Sequence, residues 1–257
     1  MKNLFDVNGK VAVVTGGSTG IGKMIAHGFV ENGVKTYITA RKQPTLDETA
    51  AELSQVGECI AIQSDLSTLD GVNAFADAVL AKNEGIDILI NNAGATWGAP
   101  VDEFPEQGWD KVMDLNVKSI FFLTQRLLPA LRKAGSKAAP SRVVNIASIN
   151  GITHPGMNNY SYSASKAAVI QLTRHMAADL ARDNININGI APGFFPSKMT
   201  AFLLPDDPES ADIEGQPIPR LGCPEDAAGT AIYLCSQASN YLCGHTIVMD
   251  GGMVAGS

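Results

Sequence analysis

The stretch YSASK places Tyr162 and Lys166 four residues apart, inside a segment of 161 to 182 whose apolar residues recur at spacings of three and four. On a helix, positions i and i+4 share a face. An ammonium held beside a phenol favours the phenolate and lowers the phenol's pKa, and a tyrosine tuned in this way can exchange a proton near neutral pH. A second constellation stands near the start of the chain. TGGSTGIG (15 to 22) falls between an apolar run and a helical segment. There Gly16 permits a tight turn, Gly20 lets backbone approach a pyrophosphate and Gly22 lets the helix pack closely on the strand, while the N–H groups at the helix start hold the anion. The spacing is GxxxGxG rather than GxGxxG.

Both constellations need elements to bring them together. Apolar runs of β-branched character are VAVVT (11 to 15), KTYITA (35 to 40), CIAIQS (59 to 64), IDILINN (86 to 92), SRVVNIAS (141 to 148), ININGIAP (185 to 192) and HTIVMD (245 to 250). Helical periodicity covers residues near 20 to 31, 45 to 55, 68 to 83, 106 to 134, 161 to 182 and 224 to 236. Pro224, followed by Glu225 and Asp226, suits a first helical turn. Strand and helix in alternation imply right-handed crossovers and a parallel sheet with helices on both faces. Near-continuous apolar strands agree with burial on both sides. The expected fold is a single α/β domain over 1 to 257, with seven parallel strands in one sheet covered by helices on both faces. One connection is long and proline-rich, a substrate loop at about 193 to 222 on the carboxyl side of the sixth strand, where ligands of open α/β sheets bind.

Composition narrows the function classes. A formal net charge of −7, with 19 Lys and Arg scattered along the chain, offers no basic footprint for a phosphate backbone, so nucleic-acid binding is not expected. No apolar run is long enough to cross a bilayer, and MKNLFDVNGK lacks the apolar core of a signal peptide, so the expectation is a cytoplasmic protein without membrane partners. Cys59, Cys223, Cys235 and Cys243 have no ligand spacing, and no metal is expected.

The end of the second strand bears on the choice of dinucleotide. An acid there would accept the ribose hydroxyls of NAD. Here the run is Thr39, Ala40, Arg41, Lys42, with no acid before Asp47. A guanidinium suits a phosphate, which favours NADP(H) over NAD(H), although Arg41 and Lys42 also fit the description of solvated loop charges.

With TGGSTGIG, NNAG (91 to 94), Ser148 ahead of YSASK and PG (192 to 193) in this order, the chain resembles the short-chain dehydrogenase/reductase family over essentially its whole length. The resemblance implies a Rossmann fold with a doubly wound sheet of seven parallel strands, and a catalytic set of Asn116, Ser148, Tyr162 and Lys166. For the cofactor it implies Gly16, Ser18, Thr19, Gly20, Ile21 and Arg41, then Asp65 and Leu66 beside the adenine, then Asn92, Gly94, Pro192, Gly193 and Ser197, with Tyr162 and Lys166 shared between both sets. Read without it, Asn116 could cap or kink a helix and Ser148 could end a strand. Tyr160, two residues before Tyr162, would point away from the Lys166 face.

The implied chemistry is hydride transfer between a nicotinamide and a carbonyl or carbinol carbon, with Tyr162 as proton donor, Ser148 binding the substrate oxygen, Lys166 on the ribose and Asn116 anchoring a relay water. Trp97, His154, Met157, Phe194 and Phe195 are candidate substrate contacts or core residues, and their apolar character suits a hydrophobic ketone or alcohol. Within the family the motifs most resemble 3-oxoacyl-(acyl-carrier-protein) reductase-like members, for which Arg126, Arg132 and Lys133 offer basic positions. A polyol or gluconate-type dehydrogenase and a catalytically silent dinucleotide sensor are the rivals. By analogy the chain forms a homotetramer or homodimer through residues 106 to 134, 161 to 182 and the last strand.

Overall fold

The computed structural model describes residues 3–154, 156–197 and 216–256. Its strands are β1 (Val11–Thr15), β2 (Lys35–Thr39), β3 (Cys59–Ala61), β4 (Ile88–Asn91), β5 (Ser141–Ile146), β6 (Ile185–Pro192) and β7 (Thr246–Met249). They form one sheet in the order β3-β2-β1-β4-β5-β6-β7, and every pairing is parallel. The strand order reverses between β1 and β4, and a crevice opens at the carboxyl ends of the strands at such a switch point.

The alternating helices are α1 (Gly20–Glu31), α2 (Gln43–Leu53), α3 (Leu69–Leu80), α4 (Glu106–Met113), α5 (Ser119–Ala134), α6 (Tyr160–Leu180) and α7 (Pro224–Cys235). They cover the sheet on both faces with two apolar clusters. One packs α1, α2 and α7 against β1, β2 and β4 through residues such as Ile25, Phe29, Leu46 and Leu234. The other packs α3 and α5 against the opposite face through Phe75, Val79, Leu123 and Leu127. Central strands buried on both faces explain why β5 and β6 show no exposed position along their whole length. Among the described residues no helix is long and apolar enough to cross a membrane.

Two departures from the periodicity matter for the site. The segment 106 to 134, which reads as one helix, is broken by a π-helical turn at Asp114–Lys118 that carries Asn116. Such turns cluster at functional sites because they re-aim side chains without ending the helix. The strand interior also contains polar side chains that burial would penalise if they were unpaired. Asn91 and Asn145 are register partners on β4 and β5, and Asn91 Nδ2 donates to Asn145 Oδ1 at 2.9 Å and to Thr124 Oγ1 at 3.1 Å. Asn145 Nδ2 then donates to Thr173 Oγ1 at 2.9 Å. This buried ladder runs from α5 through two strands to α6 and ties both site-bearing helices to the sheet.

Candidate active site

The glycine turn follows β1 directly. Gly16 (φ 64°) and Gly20 (φ 55°) both adopt left-handed backbone, which L side chains rarely tolerate. Gly22 serves a different need, since a Cβ there would lie 2.3 Å from both Asn92 Nδ2 and Gly16 O. The close contact it permits is therefore with the turn itself and with Asn92. Asn92 is the strut of this turn, its Nδ2 donating to Thr15 O at 2.8 Å and to Gly16 O at 3.2 Å. Thr15, which motif reading passes over, accepts from the N–H groups of Asn92 and Ala93 at 2.9 Å each. Its signal was present in the sequence as a hydroxyl directly before the glycines.

Two cavities meet over this turn. An inner one of about 230 Å³ is lined by Gly16, Thr19, Gly20, Ile21, Asn92, Gly94, Ser148, Tyr162, Lys166, Pro192, Gly193 and Ser197, together with Phe195. An outer one of about 140 Å³ is lined by Gly16, Ser18, Thr19, Arg41, Asp65, Leu66 and Gly94. Every position that the sequence resemblance assigns to the cofactor lines one or the other. Gly94 keeps bare backbone on the wall shared by both cavities, where a Cβ would sit 3.3 Å from Asn116 Oδ1 and 3.8 Å from Lys166 Nζ. The arrangement can hold a long anionic ligand, with a helix N-terminus and backbone N–H groups at its waist.

In the inner cavity, Ser148 leaves β5 in extended conformation and caps a short turn, its Oγ accepting from Asn150 N at 3.2 Å. Its loop can lie against α6 because Gly151 has no Cβ, which would come within 2.5 to 2.8 Å of the Lys166 and Ala167 backbone. Lys166 is 4% exposed. Its Nζ donates to Ile146 O at 2.7 Å and stands 5.5 Å from the centroid of the Tyr162 ring. Burial lowers the ammonium's pKa to about 8. For Tyr162, burial pushes the phenol's pKa up, and a hydrogen bond with Ser148 opposes that rise.

The structure adds to the electrostatic account that spacing alone suggests. The lysine does stand beside the phenol, but it is bound to a backbone carbonyl and is itself disfavoured as a cation by burial. A hydrogen bond with Ser148 lowers the phenol's pKa against the rise that burial causes.

Asn116 lies behind the cavity rather than on its wall. It is fully buried, its Oδ1 accepts from Ala95 N at 2.8 Å, and its Nδ2 donates to Ala95 O at 3.0 Å and to Ser165 Oγ at 2.9 Å. Tyr160 diverges from Tyr162 as helical geometry requires, its ring packing edge-on to Phe104 with centroids 5.9 Å apart.

The apolar candidates for substrate contact separate. Phe195 lines the inner cavity beside Tyr162. Phe194 faces a separate cavity of about 290 Å³ beyond it. Trp97 instead covers Gly108, where a Cβ would meet its ring at 2.7 Å, and carries the Lys111 ammonium 5.0 Å from its centroid. His154 is exposed and Met157 half-buried, and neither lines the inner cavity. Of the expected substrate loop at 193 to 222, residues 198–215 lie outside the described residues.

A family model for short chain dehydrogenases matches residues 10–208. The chain belongs to the short-chain dehydrogenase family. Within it, the chain is 45% identical over 254 residues to a rhamnolipid-biosynthesis 3-oxoacyl-(acyl-carrier-protein) reductase of Pseudomonas aeruginosa, covering 98% of this chain and 99% of that protein. It is 39% identical to a 2-dehydro-3-deoxy-D-gluconate 5-dehydrogenase of Escherichia coli, covering 98% of each. Among solved structures it is similar to the Pseudomonas aeruginosa RhlG/NADP active-site complex, with a TM-score of 0.93 and 44% identity over 98% of this chain and 99% of that one.

Proposed function

We propose that this chain is an NADP(H)-dependent oxidoreductase that interconverts a carbonyl and a secondary alcohol, reducing a hydrophobic ketone or 3-oxoacyl substrate. The observation that carries the reading is the convergence of Ser148, Tyr162 and Lys166 in one cavity continuous with the glycine turn. A silent sensor would need the turn but not the convergent trio. For the dinucleotide, Arg41 on the outer cavity and the NADP of the similar RhlG complex both favour the phosphorylated form.

Gly16, Thr19 and Gly20 would hold the pyrophosphate, Arg41 the ribose phosphate, and Lys166 the ribose nearest the reaction. The bound nicotinamide supplies the hydride. Tyr162 gives its hydroxyl proton to the alkoxide oxygen as it forms, and Ser148 donates a hydrogen bond to the same oxygen. The buried Lys166 ammonium keeps positive charge beneath the phenol as it ionises. Asn116 joins the Ala95 backbone to α6, which holds this face of the cavity in place.

The gluconate-type dehydrogenase of Escherichia coli at 39% identity favours a second reading, oxidation and reduction of a sugar acid. Following nicotinamide absorbance with NADPH and NADH against 3-oxoacyl thioesters, hydrophobic ketones and keto-gluconates separates the two. Turnover of the acyl or apolar ketones with NADPH is the expected result. Turnover of keto-gluconates alone would replace it, and no turnover of any carbonyl or alcohol would reject both.

The basic positions suggested for an acidic carrier are not free. Arg126 pairs with Asp77, Arg132 with Asp183 and Lys133 with Glu84. Arg132 and Lys133 also stand in the last turn of α5, the end of the helix remote from the carboxyl edge of a parallel sheet. A homodimer or homotetramer fits the large apolar side chains left open on the expected faces, Trp109 on α4, Phe121 on α5 and Val248 on the edge strand β7. The four free thiols suit a reducing cytoplasm.

A further inference from the structure

Helical spacing explains why Lys166 faces Tyr162, but it does not explain what holds the first turn of α6 against the π-helical turn that carries Asn116. The link is Ser165, which is fully buried. Its Oγ accepts from Asn116 Nδ2 at 2.9 Å and donates to the carbonyl oxygen of Tyr162 at 2.7 Å. Asn116 is pinned at its other end by both backbone groups of Ala95. An uninterrupted path therefore runs from the segment after β4, through Asn116 and Ser165, to the peptide of the tyrosine.

A hydroxyl accepts from an amide and donates to a carbonyl at the same time. Bonding back to a carbonyl three residues earlier also tilts that peptide and bends the helix locally. In a buried setting these bonds face little competition from water. Alanine at this position would remove the link while leaving Asn116 Nδ2 bonded to Ala95 O, so its main effect would fall on the placement of the turn.

We infer that Ser165 is a positioning residue: it couples Asn116 to the Tyr162 peptide and so keeps the phenol within hydrogen-bond reach of Ser148. The kinetic readout of this inference rests on the oxidoreductase reading above, whereas its spectroscopic readout does not.

The test compares the full chain with Ser165→Ala, Ser165→Cys and Tyr162→Phe. The ionisation of Tyr162 is followed by ultraviolet absorbance titration against Tyr162→Phe, and steady-state rates are taken with NADPH and whichever ketone the panel identifies. In Ser165→Ala, kcat should fall about tenfold, the scale of one buried hydrogen bond, with KM, Tm and NADPH affinity close to those of the parent. The Tyr162 midpoint should rise, because the Ser148 hydrogen bond that lowers it is weakened. Ser165→Cys should recover part of both changes. An unmoved kcat and midpoint would overturn the inference, as would a fall in kcat that merely tracks losses of Tm and NADPH affinity. If the parent turns over no carbonyl or alcohol, the oxidoreductase reading fails by itself, and an unmoved Tyr162 midpoint in Ser165→Ala still decides against Ser165.

Discussion

Arg41 and Lys166 are cations at opposite ends of one crevice, and their surroundings make them different kinds of charge. Arg41 is exposed on the rim of the outer cavity. Water and salt screen what its charge can do. Lys166 is enclosed in the inner cavity, where burial holds its pKa at about 8. An ammonium in that setting acts strongly on its neighbours and is costly to keep. The outer end is thus suited to choosing between similar ligands, and the inner end to moving a proton.

The sharpest way to break this comparison is at the phenol. Tyr162→Phe is expected to lower kcat by roughly two to four powers of ten, the usual worth of a positioned acid, while NADPH binding followed by fluorescence stays near that of the parent. A variant retaining full activity would remove Tyr162 from its role.

Lys166→Met should reduce both turnover and NADPH affinity, and it also tests the cost of burying the ammonium. The folded pKa of about 8 lies below the ordinary 10.5, so between these values the unfolded chain binds a proton that the folded chain has lost. Stability from this group therefore rises with pH across that window, by at most about 1.4 kcal/mol per unit. Measured as parent minus Lys166→Met, the difference in unfolding free energy should move in favour of the parent from pH 8 to 10.5. A flat difference would show that Lys166 is not held as described.

At the outer end the effects should be smaller and salt-sensitive. Arg41→Ala should weaken NADPH binding about tenfold with little change for NADH, the gap narrowing as salt is raised. The smallest effect is expected at Arg132→Ala, which breaks an exposed ion pair worth about 0 to 1 kcal/mol. Its kcat/KM toward a carrier-linked 3-oxoacyl substrate should match the parent. A large loss specific to that substrate would make the far end of α5 a docking site after all.

The two ends also differ in how legible they were. All seven strands were readable because each is an apolar run bounded by turn residues, and β6 matches its expected bounds at 185 to 192. Ser148, Tyr162 and Lys166, which converge in the inner cavity, were readable because they sit in or just ahead of short motifs. The π-helical turn at Asp114–Lys118 was not, since its apolar pattern continues that of the flanking helices. Nor could spacing reveal that a hydrogen bond with Ser148 lowers the phenol's pKa. That depends on which atoms meet across β5 and α6. The place of Trp97 was open for a similar reason, because only the packed chain shows Gly108 making room for its ring.

The amino-acid order by itself determined the alternation of strands and helices, the glycine turn and the pairing of Tyr162 with Lys166, because each follows from local spacing and side-chain type. Tertiary structure alone decided which hydroxyl meets the phenol, which carbonyl holds the lysine and how far each is removed from water. Those depend on contacts such as Lys166 with Ile146 and Asn116 with Ser165, between residues on different elements of the fold. Hydrogen bonding and desolvation are set by such contacts, and they have no period that a sequence can display.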